Sequence, residues 1–333
     1  MAKPTFTDYV NIFNNLLDNF MRHHLDFAKK EIRYIYKHRV LILFFILMQF
    51  RRITQFKAQR RWLEEHPSER ELLGFEQIPH RTTLSRRYKW AYPLICEFVA
   101  FIGLDVESLD DFFGHKYLFE DKSLFKAKGP VWHVSDRIIQ RIPEKLRNLD
   151  TDATWDKSGY HGWVYGYGLH ITCNESAFPK LLQVETAEVS EKQVVRNKKY
   201  YIFHQLNPQF FTGDNGYFKA MRIRQWAKKG IALITPAAKW IKGKYAKAYH
   251  QFIQQDHIRK LFTFRKTTVD PLFDLIAQII GTNGKQKQLP VQKLSNVSTC
   301  LAIATLSLQI AMIVNNIWGM PLRNVSHIKA VFT

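Results

Sequence analysis

Three aspartates stand where an acid could do chemistry. Asp121 closes a strand-like run, Tyr117-Leu-Phe-Glu120, and leads into Lys122-Ser-Leu-Phe-Lys-Ala127. Asp214 follows a second apolar run, within Thr212-Gly-Asp-Asn-Gly-Tyr217. An acid just past the carboxyl end of a strand is where open α/β sheets gather ligands. Asp270 lies in Val269-Asp-Pro-Leu-Phe-Asp-Leu-Ile276. There it is expected to open a helix, because Pro271 suits a first turn and the helix dipole favours an acid. Carboxylates from two strands and a helix can converge on a pair of Mg²⁺ ions, which want hard oxygen ligands and keep places for water and phosphate. Two ions about 3.5–4 Å apart stabilise the attacking and leaving oxygens of an in-line phosphoryl displacement. Each acid also has a plainer reading: Asp214 shapes an Asp-Asn-Gly turn and Asp270 caps a helix.

Asp150 and Asp152 compete with Asp121 for the first place. No clear strand follows them, so Asp121 is preferred. His170 ends an apolar strand and is either a ligand or general base, or a satisfied sheet residue. No Ser/His/Asp constellation and no phosphate-cradling glycine loop is present. Cys96, Cys173 and Cys300 are too scattered for a zinc site or a disulfide framework, which fits a reducing cytoplasm.

The elements around these acids come in three textures. Residues 1–110 read as helical, with Tyr9, Ile12, Phe13, Leu16, Leu17 and Phe20 at helical spacing and a second helical stretch over residues 25–50. The basic stretch from Arg51 to Arg61 precedes a turn around Gly74 and Pro79, and a basic helix opens near Thr82 or Thr83. Those are the parts of a helix-turn-helix module, or equally of a helical bundle with solvated charges. Beyond residue 105, β-like runs appear at 117–119, 129–133, 163–172 and 180–186. A helix over 190–206, strands at 209–213 and 231–235 and a helix between them follow, and the pattern is helical from Thr268 onward. This is an α/β pattern, a mixed sheet flanked by helices. The apolar run from Cys300 to Trp318 carries Thr305, Ser307, Gln309, Asn315 and Asn316, so a buried helix is expected rather than a membrane span. No membrane partner is expected. The 49 Lys and Arg against 29 acids leave a net charge of +20, and these cations run through the whole chain. A surplus of that size suits a long track along a polyanion.

The order of these pieces resembles the bacterial insertion-sequence transposases of the DDE type, over residues 72–323. Leu73-Gly-Phe with Ile78-Pro-His-Arg-Thr-Thr-Leu-Ser-Arg86 is similar to the helical region before the catalytic core. Glu120-Asp-Lys-Ser-Leu-Phe-Lys-Ala127 resembles the first strand. Asp150-Thr-Asp-Ala-Thr-Trp155 with Tyr165-Gly-Tyr-Gly-Leu-His170 resembles the following block, and Thr186-Ala-Glu-Val-Ser190 the polar segment after the third strand. Thr212-Gly-Asp-Asn-Gly-Tyr217 is similar to the second catalytic block, and Phe264-Arg-Lys-Thr-Thr-Val-Asp-Pro-Leu-Phe273 to the third. The resemblance implies an RNase H-like catalytic core over 111–285, preceded by an all-helical DNA-binding region over 1–110 and followed by a helical segment over 286–333. It implies metal-dependent strand cleavage and strand transfer in the cytoplasm, with Asp121, Asp214 and Asp270 as catalytic residues and ligands of two Mg²⁺ (or Mn²⁺) ions. Double-stranded DNA, both element ends and target, would be the partner of a homodimer. Arg81, Arg86, Arg87 and Arg265 would contact DNA, and Trp132, Trp155, Tyr160, Trp163 and Tyr217 would be near enough to stack on frayed bases. Two departures matter. Asp270 stands where the family usually has the longer Glu, and the basic residue common one or two turns later is replaced by Leu275, Ile276 and Ala277, with Lys285 the nearest lysine. Both fit the alternative of an inactive DNA-binding relic or regulator.

Overall fold

A computed structural model describes residues 3–159, 162–236, 244–282 and 287–333 of the 333-residue chain. Tyr160 and Lys285 lie outside the described residues. The N-terminal part holds α1 (Phe6–His23), α2 (Leu25–Arg33), α3 (His38–Phe50), α4 (Phe56–Glu65), α5 (Pro67–Leu72) and α6 (Arg81–Asp105). The central part runs β1 (Tyr117–Lys126), α7 (Val134–Ile138), β2 (Thr154–Ser158), β3 (Gly162–Asn174), β4 (Pro179–Thr186), α8 (Glu191–Tyr201), β5 (Phe210–Thr212), α9 (Ala220–Ala227) and β6 (Ala232–Ile234). It closes with α10 (Lys244–Ile253), α11 (Asp256–Ile280), α12 (Leu294–Ile317) and α13 (Ser326–Phe332). The α/β architecture, a mixed sheet flanked by helices behind a helical N-terminal region, is the one expected.

β1 is the centre of the sheet. It pairs antiparallel with β3, Asp121 opposite Ile171, and parallel with β5, Phe119 opposite Thr212. β6 extends the parallel side. The far edge of β3 takes β2 along its first half and β4 along its second. Side chains alternate across a strand, and β1 shows this directly. Leu118 packs with Val195, Ile202 and Trp226 beneath α8 and α9, whereas Phe119 and Phe125 join the larger core that includes α11 and α12.

That larger core runs without a break from Tyr9 in α1 through α3, α6 and α12 to Phe332. α12 is long and apolar enough to cross a membrane, yet its whole apolar window is buried within the fold. Several of its polar groups find partners there. Thr299 donates to the Tyr88 carbonyl, and the Gln309 amide donates to the carbonyls of Val99 and Pro179, at 2.8, 3.0 and 2.8 Å respectively. At its start, Asp150 accepts from the Lys293 N–H and Asp152 from the Leu294 N–H, both at 3.0 Å. Two carboxylates thus meet orphan amides and the positive end of the helix dipole.

Three local expectations shift. Residues 129–133 form no strand, and the Trp132 indole is buried, donating to the Arg141 carbonyl. The helix expected over 25–50 breaks into α2 and α3 around residues 34–37. α11 begins at Asp256, so Asp270 and Pro271 lie deep inside it rather than in a first turn. Pro271 removes one ladder bond, but Thr268, Val269, Leu272, Phe273 and Ile276 are buried along that face and hold the helix through the proline.

Candidate active site

The register of the parallel pair sets up the site. Phe119 and Thr212 are opposite one another, and Asp121 and Asp214 each lie two residues further on. Asp121 therefore lies within β1, which continues to Lys126, beside the carboxyl end of β5, from which Asp214 emerges. The sequence places Asp121 at the close of its run, but pairing with β3 carries the strand on. α11 crosses over them and brings Arg265 and Asp270. All four line one cavity of about 580 Å³, together with Lys122, Asp156, Glu191, Asp274 and Lys287.

Asp121 is held from two sides. Its Oδ1 accepts from the Lys122 N–H at 2.9 Å, and its Oδ2 forms a short ion pair with the Arg265 guanidinium. Burial pushes its carboxyl up to about 7; Arg265 opposes this, while Asp214 and Asp270 add to it. Desolvation therefore outweighs the salt bridge.

Asp214 caps the short 3₁₀ turn Asn215–Tyr217, with Oδ1 accepting from the Gly216 N–H at 2.8 Å. The turn-shaping and cavity-lining readings thus hold for the same carboxylate. The two glycines beside it have steric work. A Cβ on Gly213 would strike the Tyr217 ring at 2.6 Å, and one on Gly216 would meet Glu191 Oε2 at 2.9 Å and Asp214 Oδ1 at 3.0 Å. Asp270 is exposed at the mouth of the cavity.

The structure separates the other candidates. Asp150 and Asp152 cap α12 and do not line the cavity. His170 is fully buried in β3, and burial with the nearby charges of Lys198 and Lys122 pushes it down to about 2, so it stays neutral. Arg81 and Arg86 are exposed at the start of α6, with Arg86 over the Trp90 ring. Arg87 is turned inward: it lies over the Tyr34 ring and donates to the Tyr36 carbonyl at 3.0 Å. It is a packing residue of the helical region, because its stem and guanidinium are both covered. Trp132 and Tyr217 are buried, and the partly covered Trp155 donates to the Trp132 carbonyl, whereas Trp163 is exposed.

Five cavity residues, Lys122, Asp156, Glu191, Asp274 and Lys287, escaped the sequence reading. Glu191 is the first residue of α8, and burial raises its carboxyl, with Asp214 and Asp156 adding to the shift. An acid at a helix start directly after a strand and turn was a usable signal. Lys122 donates to Asp156 at 2.6 Å and to the carbonyls of Ala187 and Val189. Lys287 pairs with Asp274 at 3.0 Å and approaches the Ser123 hydroxyl at 3.4 Å. Its distance along the chain hid it, and it supplies a cation where α11 carries Leu275, Ile276 and Ala277.

Residues 134–277 match the family profile of the transposase DDE domain. Over that segment the chain is similar to transposases of the DDE type. The matched segment includes Asp214, Arg265 and Asp270, while Asp121 on β1 lies before it. No curated protein and no solved structure matches the chain. The cavity offers hard oxygen donors of the kind a divalent cation takes, and burial, with the neighbouring acids adding to it, raises the carboxyls of Asp121 and Glu191. Among the described residues, however, no three His, Cys, Asp or Glu side chains already stand within common reach of one ion. Arg265 supplies the positive charge beside Asp121 instead.

Proposed function

We propose that the chain is a transposase that cuts DNA strands and joins the freed 3′ ends to target DNA, acting at the cavity between β1, β5 and α11. The observation that carries this reading is the placement of Asp121, Asp214 and Asp270 around one cavity beneath Arg265. Asp121 from within β1, Asp214 from the end of β5 and Asp270 from the helix would hold two Mg²⁺ or Mn²⁺ ions, with Glu191 lining the same cavity. Bound there, such ions activate a water or hydroxyl as nucleophile and neutralise the phosphoryl oxygens in flight.

The chain's own residues do the rest. Asp214 is held by its bond from the Gly216 N–H and lines the cavity. Arg265 is oriented by Asp121, and its remaining N–H groups suit a non-bridging phosphate oxygen, since a guanidinium forks over two acceptors. Lys287, braced by Asp274, gives a second cation at the rim. Lys122 stays with Asp156 and two carbonyls and stiffens the floor. The helical region over 1–110 binds DNA through phosphates, with Arg81 and Arg86 exposed for that purpose. A homodimer on paired element ends and a cytoplasmic place of action complete the reading.

The experiment is cleavage, in Mg²⁺ or Mn²⁺, of DNA carrying the ends of the element that encodes the chain. Wild type is expected to cut and Asp214→Asn to fail. Equal cleavage by the variant sinks the metal assignment. One observation favours a second reading, an inactive DNA-binding relative: Arg265 is engaged by Asp121 and the acids are not pre-gathered. Under that reading wild type binds DNA, takes up no Mn²⁺ in calorimetry and cuts nothing.

A further inference from the structure

A second groove lies between α8 and α9, further along α8 than the cavity of Asp121 and Asp214, and shares no lining residue with it. It has a volume of about 240 Å³ and is lined by Arg196, Lys199, Lys219 and Arg222 over a floor of Val195 and Trp226. Among the described residues no acid lines it. From Lys192 to Lys229 the sequence has nine Lys and Arg against one acid, Asp214, which faces the other cavity.

The arrangement is organised rather than incidental. Lys192, Arg196 and Lys199 sit at i, i+4 and i+7, so they share one face of α8. Cations at that spacing repel one another. On α4 the same repulsion is answered within the helix, where Arg60 pairs with Glu64 at 3.0 Å and Arg61 with Glu65 at 3.7 Å. On α8 the face has no such acid. Arg222 fixes the groove's other wall: it donates to the Tyr217 carbonyl at 3.0 Å and to the Lys192 carbonyl at 2.9 Å, tying α9 to the start of α8. Glu191, one residue before Lys192, lines the catalytic cavity. At about 1.5 Å of rise per residue, Arg196 and Lys199 lie roughly 8 and 12 Å along the helix from it.

We propose that the α8–α9 groove is a phosphate-binding track that grips the backbone of duplex DNA one to a few nucleotides away from the strand being cut. The inference rests on the reading of the chain as a DNA-acting enzyme, but not on which acids hold metal. Charge complementarity carries it: a ridge of uncompensated, aligned cations lowers its own repulsion by taking up a polyanion, and binding releases the counter-ions of that polyanion. Contacts of this kind position DNA without reading its sequence.

The test is the salt dependence of binding to a 30-base-pair duplex of random sequence, with the full chain in EDTA. Wild type is compared with a triple variant, Arg196→Gln, Lys199→Gln and Lys219→Gln, all surface changes that leave Arg222 in place. The slope of log affinity against log salt is expected to fall by roughly 2 to 3, about 0.9 for each lost phosphate contact. A swap that keeps the charges, Arg196→Lys with Lys199→Arg and Lys219→Arg, is expected to restore the slope, and guards against a folding defect. An unchanged slope in the triple variant overturns the track while leaving the cleavage reading intact. Loss of cleavage in Asp214→Asn with normal binding leaves both standing. Failure of the wild type to bind DNA removes both. If the triple variant instead loses binding to phosphatidylserine vesicles and keeps DNA, the groove serves a membrane surface and the proposal falls.

Discussion

Glu120 and Asp121 follow one another on β1, and each pairs with a cation delivered by a helix. Glu120 points beneath the sheet, where Lys198 of α8 donates to it at 2.7 Å and the Thr172 hydroxyl also donates to it. Asp121 points above the sheet, where Arg265 of α11 meets it. Glu120 is fully buried and Lys198 nearly so, and both partners are saturated by neighbours, for Lys198 also donates to the His170 carbonyl. Asp121 and Arg265 open onto a cavity that five further acids and four lysines share. One pair is sealed and fastens a helix to the sheet. The other is placed where something can compete for each partner. Adjacent residues of the same charge can therefore belong to different tasks, and only the pleat of the strand tells them apart.

Four measurements break or sharpen that contrast. Removing one partner of the sealed pair should be the most costly change. Glu120→Ala is expected to lower stability by about 3–5 kcal/mol, because a lysine is left buried and unpaired, and chemical denaturation would show it. Replacing both partners, Glu120→Leu with Lys198→Met, should recover much of that loss. If the single change costs nothing, the lower pair is not sealed.

On the open side, Asp214→Asn should leave the melting temperature nearly unchanged and cut cleavage by roughly 10²–10³ or more, as when a single transition-state-stabilising group is removed. A large drop in stability would place Asp214 with Glu120 instead.

The third measurement is pH. The carboxyl of Asp121 is raised in the folded protein to about 7, above its unfolded value of about 3.9. The folded state thus holds its proton longer, so this group's contribution to stability is present below about pH 4 and is lost as pH climbs to about 7. Glu191 shifts in the same direction. Metal-free protein should therefore grow less stable from pH 5 to pH 7.5, and Asp121→Asn should flatten most of that slope. An equally steep slope in the variant would move the effect elsewhere.

The smallest effect is expected at Lys287. Its ion pair with the exposed Asp274 is worth about 0–1 kcal/mol, so Lys287→Ala should barely move the melting temperature, and any several-fold loss of cleavage reports on its place at the rim.

Much of this site was legible in the sequence, for reasons that differ by residue. β1 and β5 announced themselves because short apolar runs ended in acids, and the Gly-Asp-Asn-Gly turn fixed where the second acid would point. α12 was legible because its hydroxyls and amides spoke for a buried helix rather than a lipid-facing one. β2 was not: Thr154-Trp-Asp-Lys-Ser158 is short, polar and at a sheet edge, so alternation is weak. The strand reading of 129–133 failed because Val131 and Trp132 pack against the large core as a loop, with the Trp132 indole and carbonyl hydrogen-bonded to Arg141 and Trp155. The start of α11 was hidden by Pro271, whose usual place at a helix start is overridden by the buried face around it. Arg87 was grouped with its basic neighbours because a run of cations does not show which one a helix turns inward.

The capping of α12 by Asp150 and Asp152 has a consequence for how the protein is made. α12 is the last long helix of the 333 residues and also the one packed against α6, α11 and the sheet. As the polypeptide leaves the ribosome, the apolar surfaces of α6 and β4 emerge long before the helix that will cover them. Folding of the two earlier parts is thereby tied to completion of the third. A product that stops before Lys293 keeps two carboxylates without their amides and an open apolar face, the profile of a chain that degradation removes. Closure of the core thus waits on a helix that does not line the cavity of Asp121 and Asp214.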